Sequence, residues 1–232
     1  MKALSAKLSA LGVLADSEAK ILERLHRQII DYSAGTVVQR EQATIESTGF
    51  IISGWGVRFR TAPDGRRQIV NFLLPGDGIG LYGALFEKSD SGMQMITDAT
   101  LAQFSSAELL DVFHESARLG AALCWMASQE ERVLEQQILR AGALHATSRL
   151  AHLLVDLQLR ALQAGAPLAE ASSMPITREL IAEALGVSQV HANRCCRELV
   201  KQDLIEVSET GLKLLEPGGL ERLSSYWRDL SS

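Results

Sequence analysis

The stretch SQVHANRCCRELVKQ, residues 188–202, is rich in side chains that can hydrogen bond to the edges of nucleic-acid bases. Arginine can donate two parallel hydrogen bonds to guanine, and asparagine or glutamine can pair in the same way with adenine. With about 100° between successive residues, a helix here brings most of these groups to one face. That face carries Gln189, Val190, Asn193, Arg194, Arg197 and Lys201, whereas Ala192, Cys195, Cys196 and Leu199 form an opposite, apolar stripe. We therefore expect the polar face to be exposed and able to bind a partner.

His191 falls at the border between the two faces. A rim contact with a phosphate or base, and a plain packing or solvent-facing role, both remain open for it. The two cysteines lie toward the packed stripe, where a free cysteine behaves as a small apolar residue. We expect Cys195 and Cys196 to pack, with a redox role as the alternative.

The residues around this helix predict a helix-turn-helix. Thr177 can cap the start of a short helix that ends at Leu185, Gly186 provides a turn, and Ser188 can cap the second helix. The following segment, DLIEVSETGLKLLE, suggests two short strands joined by a glycine-containing turn. Together they indicate a winged helix.

A long helix is predicted upstream, over residues 116–141, where no proline occurs and only Gly120 interrupts a run of good helix formers. Apolar residues recur along it at spacings near three, four and seven, although QEER at 129–132 interrupts the series. They are Leu123, Ala127, Leu134, Ile138 and Ala141. We interpret the segment as a dimerisation helix, the alternative being an amphipathic helix packed within its own subunit.

The sequence pattern of residues 32–113 predicts short strands separated by turns. In GWGVRFRTAPDGRRQIVNF, apolar and basic residues alternate before PDG, which predicts a hairpin with a tight turn. The arginines beside that turn are Arg58, Arg60, Arg66 and Arg67. A solvated hairpin is the simpler interpretation, with a contact to an anionic effector or to RNA polymerase as the alternative.

The whole chain has 232 residues and a formal charge of −5, which fits a soluble α+β protein of two domains without a global attraction to nucleic acid or membrane. The charged N-terminus lacks the apolar core of a signal peptide, so we expect a cytoplasmic protein. Three cysteines without paired CxxC spacing make a structural metal unexpected. We predict a sensor domain over residues 1–115, the dimerisation helix over 116–143 and a DNA-binding domain over 144–232.

These segments resemble the Crp/Fnr superfamily of bacterial transcription regulators. GWGVRFRTAPDGRRQIVNFLLPGDGIG is similar to its β-roll, a cyclic-nucleotide-binding-like domain, and ITRELIAEALGVSQVHANR is similar to its DNA-binding motif. The resemblance implies a homodimer that binds a palindromic DNA operator. It implies phosphate contacts from Thr177 and Ser188, and major-groove contacts from Gln189, Val190, Asn193 and Arg194. Val190 stands where the best-known members carry a glutamate, so their operator sequence is not carried over; valine could contact a thymine methyl instead.

The sensor half departs further from the family. Cyclic-nucleotide binders use a glutamate and an arginine where this chain has Leu81 and approximately Ser89 and Asp90. No cysteine lies near the N-terminus to hold an iron–sulfur cluster, and His26 and His114 are expected to be core or surface residues rather than haem ligands. We therefore expect no cofactor and leave the effector unidentified. The alternatives are a cyclic-nucleotide-controlled regulator and a ligand-binding protein without DNA recognition; no constellation of residues suggests an enzyme.

Overall fold

The computed structural model describes residues 2–8, 16–26, 28–45, 47–81 and 88–224. The helices are α1 (Lys2–Leu8), α2 (Asp16–Leu25), α3 (Ser106–Glu115), α4 (Ala117–Ala143), α5 (Ala146–Gln163), α6 (Leu168–Ala171), α7 (Arg178–Leu185), α8 (Gln189–Lys201) and α9 (Pro217–Ser224). The strands are β1 (Ile29–Tyr32), β2 (Val37–Gln39), β3 (Thr48–Ser53), β4 (Gly56–Thr61), β5 (Arg67–Leu73), β6 (Gly78–Ile79), β7 (Gly92–Met95), β8 (Ala99–Phe104), β9 (Ser173–Met174), β10 (Ile205–Val207) and β11 (Leu212–Leu214).

The chain divides into two compact units. The first contains Met1–Arg60, Val70–Leu134 and Gln163–Gly165, and the second contains Thr61–Ile69, Glu135–Leu162 and Ala166–Ser232. The division therefore falls inside α4 rather than at its end. The domain boundaries inferred from the sequence stay a prediction.

The first unit is built from two four-stranded antiparallel sheets, with strand orders β1-β8-β3-β6 and β2-β7-β4-β5. This confirms the predicted β-rich half and its hairpin of β4 and β5. Phe50 and Phe104 pack in the core with ring centroids 5.4 Å apart. His26 lies in the same core, stacked on Phe50, and its Nδ1 donates a hydrogen bond to the carbonyl oxygen of Leu22. It is thus a satisfied core residue, as the sequence predicted, whereas His114 is exposed.

The long helix is confirmed as α4, which spans 27 residues and ends at Ala143. Its first half packs into the core of the first unit, because Leu119, Ala122, Leu123 and Met126 are all buried there. Since an α-helix rises about 1.5 Å per residue, α4 extends on the order of 40 Å.

The second unit contains α5 to α9 and a small sheet with strand order β10-β11-β9. β10 and β11 form the predicted wing, and Leu212 of β11 also pairs with Met174 of β9. The composition of residues 166–175 predicts a loop, but this prediction is wrong, because the segment contains the short helix α6 and the short strand β9. Gly211 is required where these strands meet, because a Cβ atom there would lie 2.3 Å from the carbonyl oxygen of Met174.

A buried polar cluster joins the end of α4 to α5 in this unit. Asp156 Oδ2 lies 3.8 Å from Arg140 Nη1 and 3.9 Å from Arg160 Nη1. His152, only 3 % exposed, lies in the same cluster. Burial, reinforced by the charge of Arg140, lowers the pKa of His152 to about 4. His152 is therefore neutral at physiological pH.

Candidate nucleic-acid interface

The predicted helix-turn-helix is confirmed as α7, a tight turn and α8. The side chain of Thr177 accepts a hydrogen bond from the backbone amide of Leu180, and that of Ser188 accepts one from His191. Gly186 ends α7 in the left-handed conformation, with φ of 64°, which glycine adopts without steric cost. Each residue that the sequence assigned to a helix end therefore performs that role.

The apolar stripe of α8 packs inward as expected. Ala192, Cys195, Cys196 and Leu199 are all buried. Burial raises the pKa of the Cys196 thiol to about 11, so this thiol stays protonated at physiological pH. Since the thiolate is the reactive form, the geometry supports a packing role for Cys196 over a redox role.

The opposite side of α8 is exposed over its whole length. Gln189, Val190, Arg194, Arg197 and Lys201 are all exposed there. Val190 is 76 % exposed, although it is apolar. Asn193 is half-buried, and its Oδ1 atom is buried without accepting a hydrogen bond from the part of the chain that the structure describes. The structure thus brings the sequence-predicted contact residues to one surface, with Asn193 set deeper than the others.

Arg194 lies between two neighbours on α8. Its Nη2 donates to Nε2 of His191 over 3.3 Å, and its Nε lies 3.8 Å from Oε1 of Glu198. Because a guanidinium can only donate hydrogen bonds, Nε2 of His191 has to be the acceptor in this contact. Glu198 in turn accepts a hydrogen bond from the hydroxyl of Thr147 in the first turn of α5. His191 is therefore part of the exposed polar network rather than of the packed stripe.

A groove of about 430 Å³ runs beside this network and is lined by residues that sequence reasoning missed. His145 and Arg149 flank the first turn of α5 and face the groove together with His191 and Arg194. The sequence gives little indication that His145 and Arg149 belong to this site, because they precede α8 by about 40 residues and share no periodicity with it. Their approach to α8 is a tertiary contact, which the sequence pattern does not show.

The five residues predicted for dimerisation have different environments. Leu123 is 9 % exposed and belongs to the core of the first unit. Ala127 is half-buried, whereas Leu134, Ile138 and Ala141 are exposed. A role for Leu123 in dimer contact is therefore not needed to explain its burial, while Leu134 and Ile138 are apolar residues left exposed in the single subunit.

The first unit contains a cavity of about 420 Å³ between its sheets and α4. Arg58 and Glu130 line it and form an ion pair of 2.9 Å between Nη1 and Oε2. Ser89 and Asp90 also line the cavity, as the resemblance implies for the phosphate end of a nucleotide site. Leu81 packs against the core and is partly buried. The cavity wall that is described thus pairs Arg58 with Glu130 and also carries Lys88, a serine and a carboxylate.

Three of the four hairpin arginines form ion pairs. Besides Arg58, Arg66 pairs with Asp64 over 2.7 Å and Arg67 pairs with Glu183 over 2.8 Å, whereas Arg60 is exposed. Asp64 and Arg66 are both exposed, which agrees with the solvated hairpin turn that the sequence suggested. The charge of the hairpin is largely neutralised by neighbouring carboxylates.

Within the described ranges, no helix is both long and apolar enough to cross a lipid bilayer. In the same residues, no group of three or more histidine, cysteine, aspartate or glutamate side chains is arranged to hold a metal ion.

Two domain families match the chain in the order that the fold suggests. The cyclic nucleotide-binding domain family matches residues 29–116, and the Crp-like helix-turn-helix domain family matches residues 148–223. Fold and site together therefore define a transcription regulator with a β-roll sensor-type domain and a helix-turn-helix DNA-binding domain.

Relatives of known role agree with this class. The transcriptional activatory protein AadR of Rhodopseudomonas palustris is 25 % identical over 218 residues, which cover 94 % of this chain and 90 % of AadR. The nitrogen fixation regulation protein FixK of Bradyrhizobium diazoefficiens is 27 % identical over 209 residues, covering 90 % and 86 %. The structure of FixK2 from Bradyrhizobium japonicum has the same fold, with a TM-score of 0.75 at 22 % identity over 87 % of this chain and 98 % of that one. The chain belongs to the Crp/Fnr superfamily of transcription regulators.

Proposed function

We propose that the protein acts as a homodimer that binds two-fold symmetric DNA, with α8 of each subunit in the major groove. The observation that carries this proposal is the exposed side of α8, whose opposite side is fully used in packing. Its side chains offer both hydrogen-bond donors and acceptors, and an exposed apolar residue, Val190, stands among them. Such a surface suits base edges better than bulk water, because valine can contact a thymine methyl.

Individual roles follow from position along α8. Gln189, Val190 and Arg194 lie toward its N-terminal half and are proposed to contact base edges. Arg197 and Lys201 lie nearer its end and are proposed to contact phosphates, as are the capping residues Thr177 and Ser188. Asn193 joins the base contacts, with its buried Oδ1 turning toward the groove on binding.

The groove beside α8 extends this surface to α5. His145 and Arg149 lie at the start of α5, where the unpaired backbone amides of a helix N-terminus also favour an anion. We propose that a DNA phosphate next to the contacted bases lies along this groove. His191 then lies at the rim of the DNA contact, which is the first of the two roles that the sequence left open.

Dimerisation is proposed to occur through α4. Leu134 and Ile138 are 37 % and 73 % exposed in the single subunit, and exposed apolar residues at helical spacing are typical of a helix pair. Two copies of one surface related by a two-fold axis would present two α8 helices to two half-sites.

The β-roll cavity is proposed to accommodate an effector other than a cyclic nucleotide. A cyclic phosphate at Ser89 and Asp90 would meet a carboxylate beside Lys88, and Arg58 already pairs with Glu130. The second candidate, control by a cyclic nucleotide, is favoured by the match of residues 29–116 to the nucleotide-binding domain family. Titration calorimetry of the full chain with cyclic AMP and cyclic GMP separates the two, because only the second candidate predicts saturable heat.

Selection of bound duplexes from a random or genomic DNA pool by the purified chain tests the proposed function. We expect a two-fold symmetric sequence whose half-sites are about one helical turn, or about 34 Å, apart. Enrichment of a single asymmetric half-site would contradict the dimeric arrangement. Retention of DNA without any enriched sequence would contradict specific recognition.

A further inference from the structure

Glu198 is an acidic residue on the otherwise cationic exposed side of α8. Its carboxylate is 46 % exposed and lies in the groove that also contains His145, Arg149 and Arg194. A negative charge at a DNA-binding surface repels the phosphate backbone, whatever the base sequence. If Glu198 assists recognition, it therefore has to do so through its protein contacts.

Those contacts connect α5 to Arg194. The hydroxyl of Thr147 donates a hydrogen bond to Oε2 of Glu198, and Nε of Arg194 lies 3.8 Å from Oε1. Thr147 is anchored, because α5 is deeply buried from Leu150 onward. Each carboxylate oxygen of Glu198 thus has its own partner, one on α5 and one on α8.

Arg194 would otherwise be a free side chain, since its own exposed fraction is 65 %. An arginine side chain loses rotamer entropy when it becomes fixed, and this loss opposes the formation of a base contact. Interactions that already restrict the side chain in free protein reduce the loss on binding. Glu198 on one side and His191 on the other restrict Arg194 in this way.

We infer that Thr147 and Glu198 are positioning residues that hold Arg194 for base contact, so that Glu198 increases selectivity between sequences while it lowers affinity for DNA in general. The inference rests on the proposed function, in which Arg194 contacts a base. It makes two linked predictions that a purely structural role does not make: selectivity and general affinity change in opposite directions when Glu198 is removed.

The test uses the full-length chain and measures affinity by fluorescence anisotropy for the selected duplex and for a scrambled duplex of equal length. Glu198→Ala should bind the scrambled duplex up to about twofold more tightly, because one repelling charge per subunit is removed. Its preference for the selected duplex should fall about twofold per half-site, and hence about fourfold on a symmetric site, as expected for the removal of an exposed pair. Thr147→Val keeps the charge, so it should lower the preference without tightening scrambled binding.

Coupling to Arg194 provides the decisive comparison. In an Arg194→Ala background, Glu198→Ala should no longer change the preference, because the side chain that it positions is gone. Glu170→Ala, which removes a carboxylate from exposed α6, is the matched control and should leave the preference unchanged. Thr147→Ser retains the hydroxyl and should behave as wild type. Thermal unfolding of each variant identifies any that is misfolded.

An unchanged preference in both Glu198→Ala and Thr147→Val would overturn the inference, as would an equal loss in the Arg194→Ala background. In either case, a wild-type preference that Arg194→Ala lowers would leave the proposed function intact. A wild-type chain without sequence preference would overturn both.

Discussion

Leu123 and Cys124 are neighbours in α4 but have opposite environments: Leu123 is buried in the core of the first unit, and Cys124 is exposed. The exposed residues that share the side of Cys124 recur at intervals of seven, which is the spacing of a parallel helix pair. They are Ala117, Cys124, Glu131 and Ile138. The dimer surface that we propose therefore includes Cys124, and it does not require Leu123.

Replacement of Ile138 tests this surface. Ile138→Asp would replace an apolar contact with a charge that faces its own copy across the two-fold axis, so the dimer dissociation constant should rise at least about tenfold. Leu139→Asp is the matched control, because Leu139 is also exposed on α4 but lies about 100° around the helix. Sedimentation velocity measures both. A wild-type chain that is monomeric at micromolar concentration would be incompatible with the dimer.

Thiol reactivity gives an independent prediction for the same surface. Cys124 should react with a disulfide reagent faster in monomeric Ile138→Asp than in the wild-type dimer, since only the monomer leaves it exposed. Cys196 should react in neither form, because its thiol is buried with a pKa of about 11. Mass spectrometry after timed labelling identifies the modified cysteine, and rapid labelling of Cys196 in the folded chain would argue against its packing role.

Mild acid should destabilise the second unit through His152. The pKa of this residue is about 4 in the folded chain but near 6.5 when unfolded, so the unfolded chain binds the extra proton between these values. Stability is therefore fully present above about pH 6.5 and decreases as the pH falls toward 4. Urea unfolding should give a free energy of unfolding about 2 kcal/mol lower at about pH 5 than at about pH 7.

His152→Gln is the comparison for that measurement, because glutamine stays neutral over this range. Most of the decrease between the two pH values should disappear in this variant. The same pH dependence in His152→Gln would mean that other groups, such as the carboxylate of Asp156, cause the destabilisation.

Lys201 should affect DNA binding without affecting sequence choice. If Lys201 binds a phosphate, Lys201→Ala should lower the affinity for every duplex alike, and the log–log salt dependence should flatten by about one unit for each phosphate that the variant no longer binds. A salt series on the selected and scrambled duplexes measures this. Weaker binding of the selected duplex alone would instead assign Lys201 to a base.

Local features of the DNA-binding unit could be predicted from the sequence. Thr177, Gly186 and Ser188 determine helix ends through bonds within three or four residues, and the two sides of α8 follow from helical geometry alone. Contacts across long separations could not be predicted. The hydrogen bond between Thr147 and Glu198 joins residues 51 positions apart, and the ion pair of Arg58 with Glu130 joins residues 72 apart.

The long helix shows a different limit. Periodicity predicted that α4 has an apolar side, but it could not determine whether that side packs within the subunit or against a second copy. At Leu123, α4 packs within its own subunit, whereas Ile138 is left exposed. The sequence placed Leu123 in the dimer surface, whereas the exposed residue is its neighbour Cys124. The two side chains point about 100° apart around the helix, and only the position of the core determines which of them is buried.

The effect of Arg194→Ala on base preference tests sequence recognition by α8 most directly. Binding of this variant and of wild type should be measured on the selected duplex, on variants that change one base pair in each half-site, and on a scrambled duplex. We expect a loss of roughly 1 to 3 kcal/mol on the selected duplex, relaxed choice at one base pair per half-site, and a much smaller loss on scrambled DNA. Equal weakening of all duplexes with base preference unchanged would contradict the assignment of α8 as the surface that recognises sequence.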